Sequence, residues 1–271
     1  MVEVMYGKPI SEEIYKKLKK RLIGKRAGLG IVLVGDDPAS IKYVSIKCKK
    51  CNELNINNTL IHLDKTAKIE AIQNAIQSLN TDSSITGIIV QLPLPENIND
   101  VAVFSGISED KDIEGLNPTN MGKLVYGKDV QTVLPKVITT FLDYYNINVS
   151  SKEAVIINDS ILIGKPLAHI LLKRKATVTI CHSKTKDLKM HTKNADIIIS
   201  AVGKPKIITK DMVKENAVIF DLGFSSVGGK IIGDIDFDKV KEKCTYITPN
   251  PGGVGPVTVA VLLEEVVNNG Y

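Results

Sequence analysis

Tyr43 and Lys47 stand four residues apart in PASIKYVSIKCKK, a spacing that sets both side chains on one face of a helix. An amine held there and partly stripped of water, or placed near the ammonium of Lys50, titrates closer to neutrality and can move protons. Gln91 directly follows the apolar run GIIV, so a strand over that run delivers its carboxamide to the same sheet edge as the helix start, within reach of the amine. The competing reading of a lysine is a solvated surface charge, and Gln91 is what argues against it. KDIEG, Lys111 to Gly115, adds carboxylates, whose bland reading is a solvated connector. NPGGVGPVT, Asn250 to Thr258, places three glycines between two prolines. Such glycines permit positive φ and close backbone approach to a flat ligand, and Thr258 can cap a following helix.

A second kind of chemistry is written in AVIINDSILIGKP, Ala154 to Pro166. An apolar run breaks at Asn158, Asp159 and Ser160, and Gly164 and Lys165 precede a proline suited to open a helix. This is the outline of a strand-turn-helix nucleotide site in which Gly164 lets helix and strand pack closely. Asn158 takes the place of the first glycine, and asparagine is among the few residues that tolerate left-handed backbone. The next apolar run ends in CHSKT, which offers no acid for a ribose hydroxyl but offers Ser183, Lys184 and Thr185, suited to an extra phosphate.

The elements that must position these residues follow from periodicity. GIVLVG at Gly30 to Gly35 is a buried parallel strand, and Asp37 with Pro38 caps a helix through about Leu54. INNTLIHL, a helix from Ala67 to Leu79 and TGIIVQLPLP complete a βαβαβ pattern, ended by Pro93 and Pro95. NPTNMGKLVYGKD from Asn117 reads as a loose connector. A helix from about Pro135 to Tyr145 is followed by AVII, a helix from Pro166, ATVTIC, NADIIIS, NAVIFDLG and CTYIT, a second parallel sheet wrapped by helices, and Val257 to Val267 closes as a helix. In such sheets ligands sit past the carboxyl ends of the strands, where the residues singled out above fall.

At 271 residues, 44% hydrophobic and 24% charged, the composition is that of a soluble globular protein of two medium domains. No apolar run spans a bilayer and no signal-peptide core is present, which points to the cytoplasm and away from membranes. The net charge of +5 is almost wholly lysine. Its densest run, Tyr15 to Arg26, has helical spacing and no interleaved aromatic platform, so it reads as a solvated face rather than a nucleic-acid patch. Cys48 and Cys51 form a C-x-x-C without a second ligand pair, inside a predicted helix, and are read as structural rather than as a metal or redox site.

VGDDPASIKYVSIKCKKC, GIIVQLPLP, EDKDIEG, IGKP, ATVTICHSKT, NADIIISAVGKP, GDIDF and ITPNPGGVGPVT together resemble the bifunctional methylenetetrahydrofolate dehydrogenase and methenyltetrahydrofolate cyclohydrolase family, in order and across nearly the whole chain. The resemblance implies two α/β domains flanking a cleft, the second a Rossmann-like parallel sheet. The first, residues 1–117, is a folate-binding catalytic domain on which a C-terminal helix, 253–271, packs back. The second, residues 118–252, holds a nicotinamide nucleotide. By position, Lys47 resembles the family's catalytic lysine, Tyr43 the tyrosine that stacks on folate and Gln91 the glutamine that orients the lysine. Glu114 falls where the family carries an aspartate against the pterin-like ring, and Pro251, Gly252 and Gly253 lie against folate. Asn158, Asp159, Ser160, Gly164, Lys165, His182, Ser183, Lys184, Thr185 and Phe224 face the cofactor. The implied chemistry is hydride transfer from 5,10-methylenetetrahydrofolate, then hydrolysis to 10-formyltetrahydrofolate at the same site, in a homodimer without metal.

The departures concern the cofactor. The family's Gly-Arg-Ser turn is Asn158, Asp159, Ser160, losing an arginine expected on the 2′-phosphate of NADP. A carboxylate there favours NAD, whereas Ser183 and Lys184 favour NADP, which the intact CHSKT makes the expectation. Thr132, Val133, Leu134 and Pro135 replace a Pro-Cys-Thr-Pro turn, and Phe224 replaces a smaller aliphatic residue. A shikimate-type dehydrogenase is the alternative enzyme, disfavoured by PGGVGP and the Tyr43–Lys47 spacing. A non-catalytic nucleotide sensor is the alternative from another class, disfavoured by Lys47 and Gln91.

Overall fold

The computed structural model describes residues 2–24, 26–228 and 230–270, with backbone only at Val227. Lys25 of the basic run lies outside them. The chain divides into two compact units, one of Met1–Glu12 with Leu134–Thr258 and one of Glu13–Val133 with Val259–Tyr271.

The Glu13–Val133 unit is built on three parallel strands, β2 (Gly28–Val34), β3 (Asn57–Leu63) and β4 (Gly87–Val90), in the order β3-β2-β4. Counting from the N-terminus, β1 (Glu3–Val4) belongs to the other unit. Both β2 and β4 are buried at every position, which is why they read as unbroken apolar runs. Helix α1 (Gly7–Arg21) precedes β2, and α2 (Pro38–Leu54) and α3 (Ile69–Thr81) connect the strands. Asp37 accepts from the Ser40 amide at 2.7 Å with Pro38 at the first helical position, as the sequence predicts. Two short helices follow, α4 (Asp100–Phe104) and α5 (Pro118–Val125).

Helix α5 occupies the segment expected to be a loose connector. Its start repeats the signal at Asp37: Asn117 accepts from the Thr119 amide at 2.8 Å, and Pro118 opens the helix. Its described buried residues are Asn120 and Leu124, one of them polar, so no apolar stripe marks the helix.

The Leu134–Thr258 unit carries six parallel strands in the order β1-β11-β8-β7-β5-β6, with β5 (Glu153–Ile157), β6 (Thr177–Cys181), β7 (Ile197–Ser200), β8 (Ala217–Asp221) and β11 (Cys244–Ile247). Strand β5 has β6 on one side and β7 on the other, so the crossovers from it run in opposite directions. That is the doubly wound arrangement, with its ligand crevice past the ends of β5 and β7. Helices α6 (Leu134–Tyr144), α7 (Gly164–Lys173), α8 (Leu188–Thr192) and α9 (Phe237–Val240) belong to this unit, as does an antiparallel hairpin of β9 (Ser225–Val227) and β10 (Lys230–Ile232) that periodicity did not mark. Helix α10 (Val254–Asn268) ends the chain. Its last turn meets β4: Thr86 Oγ1 donates to the Val266 carbonyl at 2.8 Å, and the Asn269 carboxamide donates to the Thr86 carbonyl at 2.8 Å.

Candidate active site

Helix α2 leaves the carboxyl end of β2, and Gln91 leaves the carboxyl end of β4 beside it. Lys47 Nζ donates to Gln91 Oε1 at 2.9 Å, while Gln91 Nε2 donates to the Leu92 carbonyl at 2.8 Å, so the carboxamide can present only its oxygen to the amine. Lys47 is half-buried, and burial drives its amine below the usual lysine range. Glu114 opposes that shift, so the two groups share one electrostatic neighbourhood. Lys50, expected as a second cause, plays no part: it pairs with Glu53 at 2.6 Å and lies over the Tyr15 ring. Tyr43, one turn before Lys47, is exposed on the same face.

In KDIEG each polar residue has a separate task. Lys111 Nζ donates to the carbonyls of Leu79, Asn80 and Asp82 at 3.1, 2.7 and 2.8 Å, closing the C-terminus of α3. Asp112 is buried and accepts from the amides of Leu116 and Asn117 and from Asn120 Nδ2. That leaves Glu114, whose carboxyl is pushed up to about 7 by burial, with Lys47 pulling the other way and Asp112 adding to the rise. An amine below its usual range beside an acid above its own is what a proton-transfer centre requires.

The glycine turn lies in the other unit, and one of its glycines has the positive φ expected of it. Gly252 has φ +104, which only glycine adopts without strain. A side chain at Gly253 would strike the Pro249 carbonyl at 2.5 Å, so that glycine makes room for the protein's own backbone. Pro251, between them and Asn250, is exposed. Thr258 is no cap: it sits inside α10, and its hydroxyl donates to the Val254 carbonyl at 3.3 Å.

At the end of β5, Asn158 does not adopt the left-handed backbone expected of it. Its side chain makes the turn instead. Oδ1 accepts from the Ser160 amide at 2.8 Å and the Ser160 hydroxyl at 2.7 Å, and Nδ2 donates to the Ala201 carbonyl past β7 at 2.7 Å. The asparagine thus bridges the two strands at the point where the sheet order reverses. A Cβ on Gly164 would stand 1.9 Å from the Asn158 carbonyl, so α7 starts hard against the end of β5, as expected of that glycine. Asp159 and Lys165 are exposed. After β6, the Thr185 amide donates to the His182 carbonyl at 2.9 Å, the His182 amide to Thr185 Oγ1 at 3.0 Å and the Lys184 amide to His182 Nδ1 at 3.1 Å. This tight turn leaves Ser183 and Lys184 exposed. The bridged turn, the close approach at Gly164 and a cation beyond β6 fit a dinucleotide with its phosphates at the start of α7. Phe224 is 47% exposed, just past the end of β8. Among the described residues no group of three or more His, Cys, Asp or Glu side chains could hold a metal ion, and no helix is long and apolar enough to cross a membrane. Cys51 is buried in α2, its thiol pushed up to about 12 by that burial.

A proton-transfer centre on one parallel α/β unit and a dinucleotide crevice on the other define a nucleotide-dependent enzyme of two α/β units. The chain belongs to the tetrahydrofolate dehydrogenase/cyclohydrolase family: residues 5–114 match the model of its catalytic domain and residues 132–270 that of its NAD(P)-binding domain. It is 42% identical over 273 residues to the bifunctional protein FolD of Nitratiruptor, covering 98% of this chain and 97% of that one. The solved FolD dehydrogenase/cyclohydrolase of Campylobacter jejuni is 40% identical, with TM-score 0.96 over 100% of this chain and 99% of that one. The Trypanosoma brucei enzyme, solved with NADP and an inhibitor, is 31% identical, with TM-score 0.93 over 99% of this chain and 97% of that one. Family membership decides against the shikimate-type alternative.

Proposed function

We propose that the enzyme oxidises 5,10-methylenetetrahydrofolate to the methenyl form with NADP and hydrolyses that product to 10-formyltetrahydrofolate, with Lys47 as the group that moves protons. The observation that carries this reading is the 2.9 Å bond from Lys47 to Gln91 next to the raised carboxyl of Glu114. Bound NADP supplies the hydride acceptor. The chain's own residues hold the folate and handle the water that adds to the electron-poor methenyl carbon. Gln91 fixes the amine through its oxygen, which leaves the other amine positions for water and for the ring nitrogen that must be protonated as the ring opens. Tyr43 offers its ring face to the pterin. Glu114, neutral below about 7, can donate a hydrogen bond to a pterin acceptor, and ionised it can accept one.

The nucleotide reading rests on Asn158, Ser160 and Gly164 at the turn, with Lys165 beside it, and on His182, Ser183, Lys184 and Thr185 as the 2′-phosphate side. Phe224 flanks the nicotinamide end. Pro251, Gly252 and Gly253 complete the folate side. The reading extends to a cytoplasmic homodimer and to polyglutamylated folates as substrates, and for the polyanionic substrates alone the +5 charge is the supporting observation.

Replacing Lys47 by Met removes the proton carrier and keeps the stem. Hydrolysis of methenyltetrahydrofolate, followed by the loss of its absorbance, should fall by about 100-fold or more. Full activity in that variant would sink the assignment.

A further inference from the structure

Two buried aspartates in the six-stranded unit lie outside the site described so far. Asp234 is 0% exposed and Asp221 3%. Asp234 Oδ2 accepts from Ser200 Oγ at 2.7 Å and from the Val202 amide at 2.8 Å, and its Oδ1 accepts from the Lys204 amide at 2.8 Å. Asp221 Oδ1 accepts from the amides of Gly223 and Asp234 at 2.9 and 3.0 Å, and its Oδ2 accepts from the Ile235 amide at 3.1 Å. Each carboxylate fills the place of a missing side chain. A Cβ on Gly223 would lie 2.1 Å from Asp234 Oδ1, and one on Gly233 would lie 2.0 Å from Asp221 Oδ2. The pair interlocks, and neither glycine can be replaced without displacing the opposite acid.

Burying two like charges together is a poor way to stabilise a sheet; apolar side chains of similar size do it better. Here the pair sits at the carboxyl ends of β7 and β8, and it reaches β11 through Thr248, whose Oγ1 accepts from the Asp221 amide at 2.8 Å. The segment that Asp234 grips, Ser200 to Lys204, is the one whose Ala201 carbonyl receives Asn158 from across the strand-order reversal. One wall of the crevice is therefore held by Asn158 at Ala201 and by Asp234 at Ser200, Val202 and Lys204. On the other side of the lock, Gly223 leads directly into Phe224.

Resting on the nucleotide assignment above, we propose that Asp234, interlocked with Asp221, is a positioning residue for the nicotinamide half of the dinucleotide. It fixes the backbone of Val202 to Lys204, which forms that wall, and takes no part in the hydrolytic step.

The test uses the split between the two reactions, since hydrolysis of methenyltetrahydrofolate needs no nucleotide. In Asp234→Asn, at least one amide or hydroxyl loses its acceptor or meets an NH2 group. The Kd for NADPH, read by its fluorescence, and the KM for NADP should rise by about 10-fold to 100-fold. Cyclohydrolase kcat should stay within about twofold of wild type, because Lys47 and Gln91 are bonded to each other in the other unit and Asn250, beside the glycine turn, keeps its acceptor on Asp221. Equal loss of both activities in a cooperatively melting variant, or an unchanged Kd for NADPH, overturns the proposal. Should Asp234→Asn fail to melt cooperatively, Ser200→Ala, which removes a single bond to the same carboxylate, decides: a weaker rise in Kd supports the proposal and no change overturns it. A wild type that binds NADPH but does not oxidise methylenetetrahydrofolate would refute the functional reading alone, and the variants' Kd values would still judge the wall.

Discussion

At Glu114 the penalty of burial falls on the ionised form, and it has a sign. Burial pushes the carboxyl up to about 7 in the folded chain from its ordinary 4.5, so between those pH values the folded state binds more protons than the unfolded one. Stability from this group is complete at acid pH and is lost as pH rises through about 7, a cost on the order of 3 kcal/mol by about pH 8. Glu114→Gln, which cannot ionise, should therefore melt higher than wild type at about pH 8 and show a flatter dependence of Tm on pH from about 5 to 8. Because Glu114 holds the Lys47 amine up, the same variant should move the ionisation assigned to Lys47 in the cyclohydrolase pH profile to lower pH. Asp159 poses a different question of charge. It is exposed at the turn before α7, and in the proposed reading of the nucleotide site its charge opposes a 2′-phosphate. Asp159→Arg should raise kcat/KM for NADP over NAD by about 10-fold or more, the order of one charge-assisted hydrogen bond. A wild type that already prefers NAD would overturn the choice of NADP.

Element ends carry much of the local stability, and Lys111 shows it. One ammonium collects three carbonyls at the end of α3, where the helix dipole is negative. Lys111→Met should lower the urea unfolding free energy by about 2 kcal/mol while leaving the Lys47 bond to Gln91 in place. How much of the elements could be read in advance depends on what buries them. Strands β2, β4, β7 and β8 are covered on both faces and announce themselves as apolar runs. The hairpin of β9 and β10 has only three residues to a strand, too few for any periodicity to mark it. Lys47, Tyr43 and Gln91 were legible because helix spacing and a strand end bring them together by local rules. The Asp221 and Asp234 lock was not, since one member ends β8 and the other follows β10, and their meaning appears only when the fold sets the two side by side. Asn158 was legible as the residue that turns the chain after β5 but not in how it does so, since its side chain makes the turn and its backbone is not left-handed.

At the scale of the molecule, lysine dominates the charge, and the net +5 suits a polyanionic substrate. The KM for a polyglutamylated folate should rise with ionic strength more steeply than that for the monoglutamate; equal salt dependence would separate the charge from substrate binding. The first strand matters on this scale as well. Met5 is fully buried, and its amide donates to the Ile247 carbonyl at 2.8 Å, so the opening residues complete a sheet whose neighbouring strand comes from near the end of the sequence. Likewise the three-stranded unit takes in residues from Val259 onward. During synthesis, then, neither unit can be finished when its own middle has emerged from the ribosome. The six-stranded unit must keep its opening strand waiting for β11, and the three-stranded unit must wait for the last turns of α10. Translation order and folding order are thereby uncoupled: one unit closes only once β11 has emerged and the other only once the last turns of α10 have.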